Sequence, residues 1–139
     1  MTAVRRTGGC QCGAVRYECA GEPFALFVCH CTECRKQSAS AFGISLPITR
    51  AGFRLTKGAP QFWSRRGGSG IEIRSACCPG CGSRLWDEPQ DAPDIVVLKG
   101  GSLDEPPDLS KAIHIWTKSK LPGVVIPAGA RQFPGEPEE

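Results

Sequence analysis

Cys78-Pro79-Gly80-Cys81-Gly82 places one cysteine on each side of a two-residue turn. Such a turn brings both sulfurs to one side, and the following glycine can adopt the positive φ that lets backbone amides point at sulfur. Cys10-Gln11-Cys12-Gly13 can supply two more ligands, because alternate residues of an extended chain lie on one face. Together the motifs predict a structural zinc site at Cys10, Cys12, Cys78 and Cys81. The alternative, that these cysteines are only small buried apolar side chains, fits the neighbouring glycines less well.

Cys29-His30-Cys31-Thr32-Glu33-Cys34 contains three further cysteines. Alternation along a strand places Cys29 and Cys31 on one side, so His30 is expected to point away from a metal held by the thiolates. Cys34 would return towards the other two sulfurs through the first turn of a helix. Three thiolates leave one position of a zinc ion open to water or substrate, which is the condition for chemistry at the metal. The sequence therefore predicts a catalytic zinc at Cys29, Cys31 and Cys34.

The helix that would bring Cys34 towards the other two sulfurs is predicted to be short. Thr32 is a permissible N-cap, and Glu33 suits the first turn. Cys34 would then lie near the helix N-terminus with Arg35 and Lys36 beside it. This surrounding positive charge predicts a lowered pKa for the Cys34 thiol.

A closed second site is the alternative, with Cys19, Cys77 or His114 as the fourth ligand. The two cysteines lie on apolar faces of predicted strands, so both are expected to fill the core. A lone histidine between two isoleucines is more often a hydrogen-bonded structural residue than a metal ligand. The open site is the preferred interpretation.

Glycine and proline interrupt the chain at short intervals, and the segments between them alternate with a period of two. Val15, Tyr17 and Cys19 share one face of such a segment, while Arg16 and Glu18 take the other. The fold class is expected to be mainly β, with sheets held together by zinc and at most one or two short helices. Strands are predicted at residues 14–19, 24–29, 41–48, 61–65, 71–77, 95–99 and 112–117, with a flexible loop at 67–70 and an irregular segment at 127–139.

The length of 139 residues suggests a single domain, and a formal charge of +3 without basic runs does not predict a nucleic-acid partner. The sequence shows neither an apolar run long enough to cross a bilayer nor the apolar stretch of a secretory signal at its start. The protein is therefore expected to be cytoplasmic and not to associate with a membrane. In that reducing compartment clustered cysteines are more often metal ligands than disulfides, and the odd total of nine favours the same interpretation.

Three motifs, in this order, resemble the glutathione-dependent formaldehyde-activating enzymes and the related centromere protein V domain. They are Gly8-Gly-Cys-Gln-Cys-Gly-Ala-Val-Arg-Tyr17, Cys29-His-Cys-Thr-Glu-Cys-Arg-Lys-Gln-Ser38 and Cys78-Pro-Gly-Cys-Gly-Ser83. Residues 53–58 and 114–116 are similar to weaker segments of the same family. The resemblance predicts a family domain over residues 1–133, followed by an irregular tail over residues 134–139.

The resemblance implies a Mss4-like fold, with a structural zinc at the four-cysteine set and a catalytic zinc at the three-cysteine set. It also implies a carbon–sulfur lyase that reversibly joins glutathione, or another small thiol, to formaldehyde as the S-hydroxymethyl adduct. Arg35 and Lys36 would either meet the carboxylates of glutathione or remain solvated surface charges. Cys77 departs from the family pattern, since similar proteins often carry an aromatic residue at this position.

Two other functions are compatible with the cysteine pattern. One is a non-catalytic zinc module that binds a protein partner. The other is a redox or zinc-buffering protein, although ordered ligand sets favour fixed coordination over exchange. The oligomeric state and the identities of the thiol and the aldehyde do not follow from the sequence.

Overall fold

The computed structural model describes residues 4–67 and 69–137. Within these residues the chain forms ten β-strands, one α-helix and four 3₁₀ turns, which confirms the mainly-β class and is consistent with a Mss4-like fold. The strands are β1 (Arg5–Gly9), β2 (Arg16–Ala20), β3 (Phe27–Cys29), β4 (Gly43–Thr49), β5 (Phe53–Lys57), β6 (Gln61–Arg66), β7 (Glu72–Cys77), β8 (Arg84–Pro89), β9 (Ile95–Lys99) and β10 (Ile113–Ile115). The helix is α1 (Thr32–Ser38), and the 3₁₀ turns are Arg50–Gly52, Gly100–Ser102, Leu109–Lys111 and Thr117–Ser119.

The strands form two sheets. The larger has the order β10-β3-β4-β9-β8-β7-β6, and the smaller has the order β1-β2-β5. All neighbouring strands run antiparallel except β10 and β3, which run parallel. This topology places Cys29 at the end of β3, and it places Cys78 and Cys81 in the turn between β7 and β8.

The main core joins the two sheets. Val15, Tyr17 and Cys19 are buried on one face, as the alternation predicts, and they pack with side chains from the larger sheet. Trp86 of β8 is central to this contact, since its ring lies 6.1 Å from the Tyr17 ring and 4.7 Å from the Phe53 ring between centroids. Burial of these aromatic side chains helps to hold the small sheet on the large one.

Three strands do not follow from the alternation pattern. β1 is short and rich in glycine, β5 has only one residue that is not exposed, and β8 has three consecutive buried residues. A strand covered on both faces, like one exposed on both, has no polar–apolar period of two. The other strands form where predicted, with ends that differ by at most three residues, and β9 has the predicted bounds.

The prediction that Cys77 fills the core is wrong. The register between β7 and β8 shifts between Ala76 and Cys77, so that Leu85 faces no partner on β7. Such a bulge interrupts the alternation of side chains. Cys77 is half-buried instead, with its Sγ 3.7 Å from the carbonyl oxygen of Gln61.

The irregular C-terminal segment lies along the outer edge of β10. The Phe133 amide donates to the His114 carbonyl at 2.9 Å, and the Trp116 amide donates to the Gly135 carbonyl at 3.0 Å. Residues 138 and 139 lie outside the described residues, as does Gly68 of the predicted loop. The division of the chain at residue 133 stays a prediction. In the described part of the chain, the single α-helix is too short to span a membrane.

Gly8→Ala is expected to lower the free energy of unfolding by about 1–3 kcal/mol. A Cβ at this position would overlap the buried Tyr17 hydroxyl and the Ser102 carbonyl oxygen, and neither group can move without disturbing the core. Urea unfolding of the zinc-loaded protein, followed by tryptophan fluorescence, measures the change. Gly135→Ala is the control, because a Cβ there meets no atom within 4 Å. Equal stability of the two variants would contradict the prediction.

Candidate metal centres and the cleft between them

The four-cysteine group brings together two distant parts of the chain. Cys10 and Cys12 follow β1, and Cys78 and Cys81 lie between β7 and β8. All four sulfurs lie within 4.8 Å of one another, with 3.6 Å between Cys10 and Cys12 and 3.7 Å between Cys12 and Cys78. Zinc at about 2.3 Å from four tetrahedral sulfurs separates them by about 3.8 Å. The donor set and its spacing therefore fit a tetrahedral metal ion.

Hydrogen bonds to sulfur surround this group. The Val15 amide donates to Cys10 Sγ at 3.2 Å, and the Gly80 amide donates to Cys78 Sγ at 3.3 Å. Gly82 adopts the expected positive φ of 79° in the turn. The Ser83 hydroxyl lies 3.2 Å from Cys81 Sγ, and this hydrogen bond is the main cause that lowers the pKa of Cys81 to about 5. The surroundings thus stabilise a thiolate at Cys81, which is the form that binds metal.

The three-cysteine group lies at the junction of β3 and α1. The sulfurs of Cys29, Cys31 and Cys34 lie within 4.8 Å of one another, and all three side chains are buried. The N-cap of α1 is Cys31, one residue before the predicted Thr32, because the Cys31 sulfur accepts the Cys34 amide at 3.2 Å. One sulfur thus caps the helix and completes the candidate ligand set.

The prediction of a lowered pKa for Cys34 is wrong. Hydrogen bonding to Cys29 lowers the pKa of Cys34, but the interaction with Cys31 and burial outweigh it, so the pKa is raised. Cys31 has the lowered pKa, because the thiols of Cys29 and Cys34 and the amides of Cys34 and Glu33 stabilise its thiolate. The pKa of Cys29 is raised by the same two neighbouring sulfurs and by burial. Since one sulfur takes the first negative charge, a cation is needed before all three can be thiolates.

His30 points away from the sulfurs, as alternation predicts. Its Nε2 lies 2.9 Å from Nδ1 of His114, and the two rings stack at 5.2 Å between centroids. Burial lowers the pKa of both histidines, which favours their neutral forms. His114 is therefore a hydrogen-bonded structural residue, as predicted.

A fourth protein ligand for the three-cysteine group is not found among residues 4–67 and 69–137. Cys19 is buried in the main core, as predicted, while Cys77 and His114 have the other contacts described above. The described residues therefore favour the open arrangement.

Asp87 is the centre of a buried charged cluster beside this group. Its carboxylate accepts hydrogen bonds from Ser75 Oγ at 2.8 Å and from Arg84 Nη2 at 2.7 Å. Lys99 Nζ and Arg65 Nη2 lie 3.1 and 3.6 Å from the other carboxylate oxygen. Burial raises the pKa of Asp87, but Lys99, Arg84, Ser75 and Arg65 outweigh it and hold the pKa below its usual value. The carboxylate is therefore ionised at neutral pH.

A cleft of about 720 Å³ lies between the two cysteine groups. Cys34 and Cys81 both line it, together with Gln37, Arg84 and Lys99. A volume of this size suits a small organic ligand. Cys34 and Lys99 also line a smaller cavity of about 290 Å³. The predicted carboxylate contacts, Arg35 and Lys36, line neither space.

A model of the family described as "Glutathione-dependent formaldehyde-activating enzyme" matches residues 5–119. The chain belongs to this family. The matched residues include all seven clustered cysteines, and they confirm the resemblance seen in the sequence motifs. Membership gives the two cysteine groups a functional context: activation of formaldehyde in a reaction that depends on glutathione.

The crystal structure of a Rhodobacter sphaeroides protein is similar to this chain. The TM-score is 0.59 at 22% sequence identity, and the alignment covers 78% of this chain and 98% of that chain. At this identity the likeness shows a shared fold.

The sequence interpretation missed the basic residues Arg84 and Lys99, which line the cleft, and the buried Asp87 beside them. Arg84 directly follows the Cys78-Pro-Gly-Cys-Gly-Ser83 motif, and Lys99 ends a predicted strand. In the sequence, both look like ordinary exposed basic residues. Asp87 stands in a strand without alternation. Only the pairing of β8 with β7 and β9 brings these charges together below the surface.

The zinc-loaded family member is expected to contain two zinc ions per chain, one for each cysteine group. Cys78→Ser and Cys31→Ser should each remove one ion, because each deletes one of the converging sulfurs. Elemental analysis after removal of unbound metal measures the content. Cys77→Ser is the control and should keep both ions, since Cys77 belongs to neither group. One zinc per chain in the unchanged protein would contradict the prediction.

Proposed function

We propose that this protein is a zinc-dependent carbon–sulfur lyase that reversibly joins glutathione, or another small thiol, to formaldehyde. In the forward direction a carbon–sulfur bond forms between the thiol sulfur and the carbonyl carbon. The carbonyl π bond opens, and the thiol proton ends on the new hydroxyl group of the S-hydroxymethyl adduct. The reaction consumes no oxidant or reductant.

The observation that carries this proposal is the three-cysteine group beside a ligand-sized cleft. Cys29, Cys31 and Cys34 would hold the catalytic zinc, while Cys10, Cys12, Cys78 and Cys81 would hold a structural one. Zinc with three protein thiolates would keep its fourth coordination position open. A thiol bound there would have a lowered pKa, and an aldehyde oxygen bound there would be polarised. Cys34 lines the cleft, so a ligand there reaches this group directly.

The chain itself would prepare the site in two ways. The α1 amides and the neighbouring thiols stabilise a thiolate at Cys31, and the positive charge of Lys99 opposes the rise in the pKa of Cys34. The buried pair of His30 and His114 would fix the backbone between the first two ligands, because both rings are enclosed and bonded to each other. A cytoplasmic location belongs to the same proposal, since reducing conditions keep these cysteines available as ligands.

Cys31→Ser is expected to reduce adduct formation from glutathione and formaldehyde to the spontaneous rate. The substitution removes the sulfur whose thiolate is best stabilised, while the four-cysteine group stays intact. Consumption of formaldehyde at fixed glutathione, with the uncatalysed rate subtracted, measures the loss.

Cys77→Ser is the matched control and should keep the activity of the unchanged protein. A zinc-saturated unchanged protein that gives no acceleration would refute the lyase assignment. If it also bound a protein partner in stoichiometric amount, the non-catalytic zinc module would be the better description.

A further inference from the structure

The smaller cavity, of about 290 Å³, lies on the face of the larger sheet that points away from the main core. Val97 of β9 lines it, while Val96 and Leu98 on either side are buried in that core. Cys29 and Cys34 also line it, so the cavity reaches the same candidate metal centre as the larger cleft. A reaction that joins two molecules at this centre therefore has two spaces from which they can approach.

Apolar side chains form much of the wall of this cavity. They come from β3, β4, β7, β8 and β9, and all are half-buried, so each keeps surface that a ligand can touch: Phe27, Pro47, Ile73, Pro89 and Val97. Apolar surface in contact with water costs free energy, and an apolar ligand removes that cost. The wall therefore favours an apolar occupant.

The charged side chains that line the cavity balance one another. Lys99 Nζ and Arg65 Nη2 lie 3.1 and 3.6 Å from the Asp87 carboxylate, and Glu136 of the C-terminal segment adds a second carboxylate. Arg84, the third cation beside Asp87, lines the cleft instead. Two positive and two negative groups give the described lining no net charge, so it does not favour an ionic ligand.

Formaldehyde by itself would leave most of this cavity unfilled. One water molecule takes up about 30 Å³ of the liquid, and formaldehyde has just one heavy atom more than water. The cavity is several times larger than that. The remaining volume, next to Cys29 and Cys34, can hold a substituent on the carbonyl carbon.

We propose that the smaller cavity holds the apolar substituent of an aldehyde larger than formaldehyde, so that the protein also joins thiols to short aliphatic aldehydes. The thiol approaches from the cleft, and its sulfur bonds to the carbonyl carbon. The carbonyl π bond opens, and the thiol proton ends on the hydroxyl group of the hemithioacetal, so no oxidant or reductant is consumed. This inference rests on the proposed function, because the substituent belongs to the aldehyde of that reaction.

Binding of straight-chain alcohols to the zinc-loaded protein tests the cavity without turnover. Ethanol, 1-propanol and 1-butanol have the alkyl chains of the corresponding aldehydes but no electrophilic carbon. The NMR methyl resonances of Ile73 and Val97 should shift saturably, and the Kd should fall about two- to fourfold with each added methylene, because each buries more apolar surface. The methyl resonances of Val125, which is exposed and lies outside the cavity, are the control and should show no saturable shift.

Val97→Phe should close the cavity, because the larger side chain occupies the space of the substituent. The Kd of 1-butanol should rise about tenfold or more, and the ratio of kcat/KM for butanal to that for formaldehyde, with glutathione as the thiol, should fall by a similar factor. Val125→Phe is the matched control and should keep both values. Val97→Ala enlarges the same cavity and should shift the preferred aldehyde to a longer chain.

The unchanged protein decides the question without any substitution. No saturable shift at Ile73 and Val97, a Kd that does not depend on chain length, or acceleration with formaldehyde but not with butanal would each overturn the proposal. A dimer in analytical ultracentrifugation, with shifts of the same methyl resonances that depend on protein concentration, would overturn it too, because a second copy would then cover this face. Alcohol binding by a protein that accelerates neither reaction would refute the lyase function, and the aldehyde assignment with it, but would leave an apolar binding site.

Discussion

Sulfur crowding is the constraint on which the rest of this structure depends. Four cysteine sulfurs, from two pairs of residues that are more than sixty positions apart in the sequence, lie within 4.8 Å of one another. Thiolates at such distances repel strongly, so the arrangement is stable only around a cation or with most sulfurs protonated. The contact ties the segment after β1 to the β7–β8 turn, and this junction brings Cys81 to the cleft that Cys34 also lines.

The sequence was most informative where chemistry depends on spacing. One or two residues between cysteines leave few geometries, so the members of both candidate ligand groups follow from the motifs themselves. The burial of Val15 and Tyr17 followed in the same way from a period of two. In each case the signal is local, because neighbouring residues alone determine which side chains lie together.

Most of the failures concern features that depend on partners distant in the sequence, and the helix cap is the local exception. The bulge at Cys77 is a property of the pairing between β7 and β8, and neither segment alone predicts it. The helix cap at Cys31 could not be separated from Thr32, because a thiolate sulfur is an uncommon cap and the threonine is an ordinary one. The cleft charges at Arg84 and Lys99 become buried only when three strands are assembled.

The polar cluster beside the cleft also specifies how the larger sheet is assembled. Arg65, Ser75, Asp87 and Lys99 come from β6, β7, β8 and β9 in turn, and Lys99 reaches Ser45 of β4 at 3.4 Å. A slip of one residue in any of these strands would turn its polar group to the opposite face, among the apolar side chains of the main core. The cluster thus favours one register across five adjoining strands. A misaligned pairing would be less stable, because it would bury a charge or a hydroxyl without a partner.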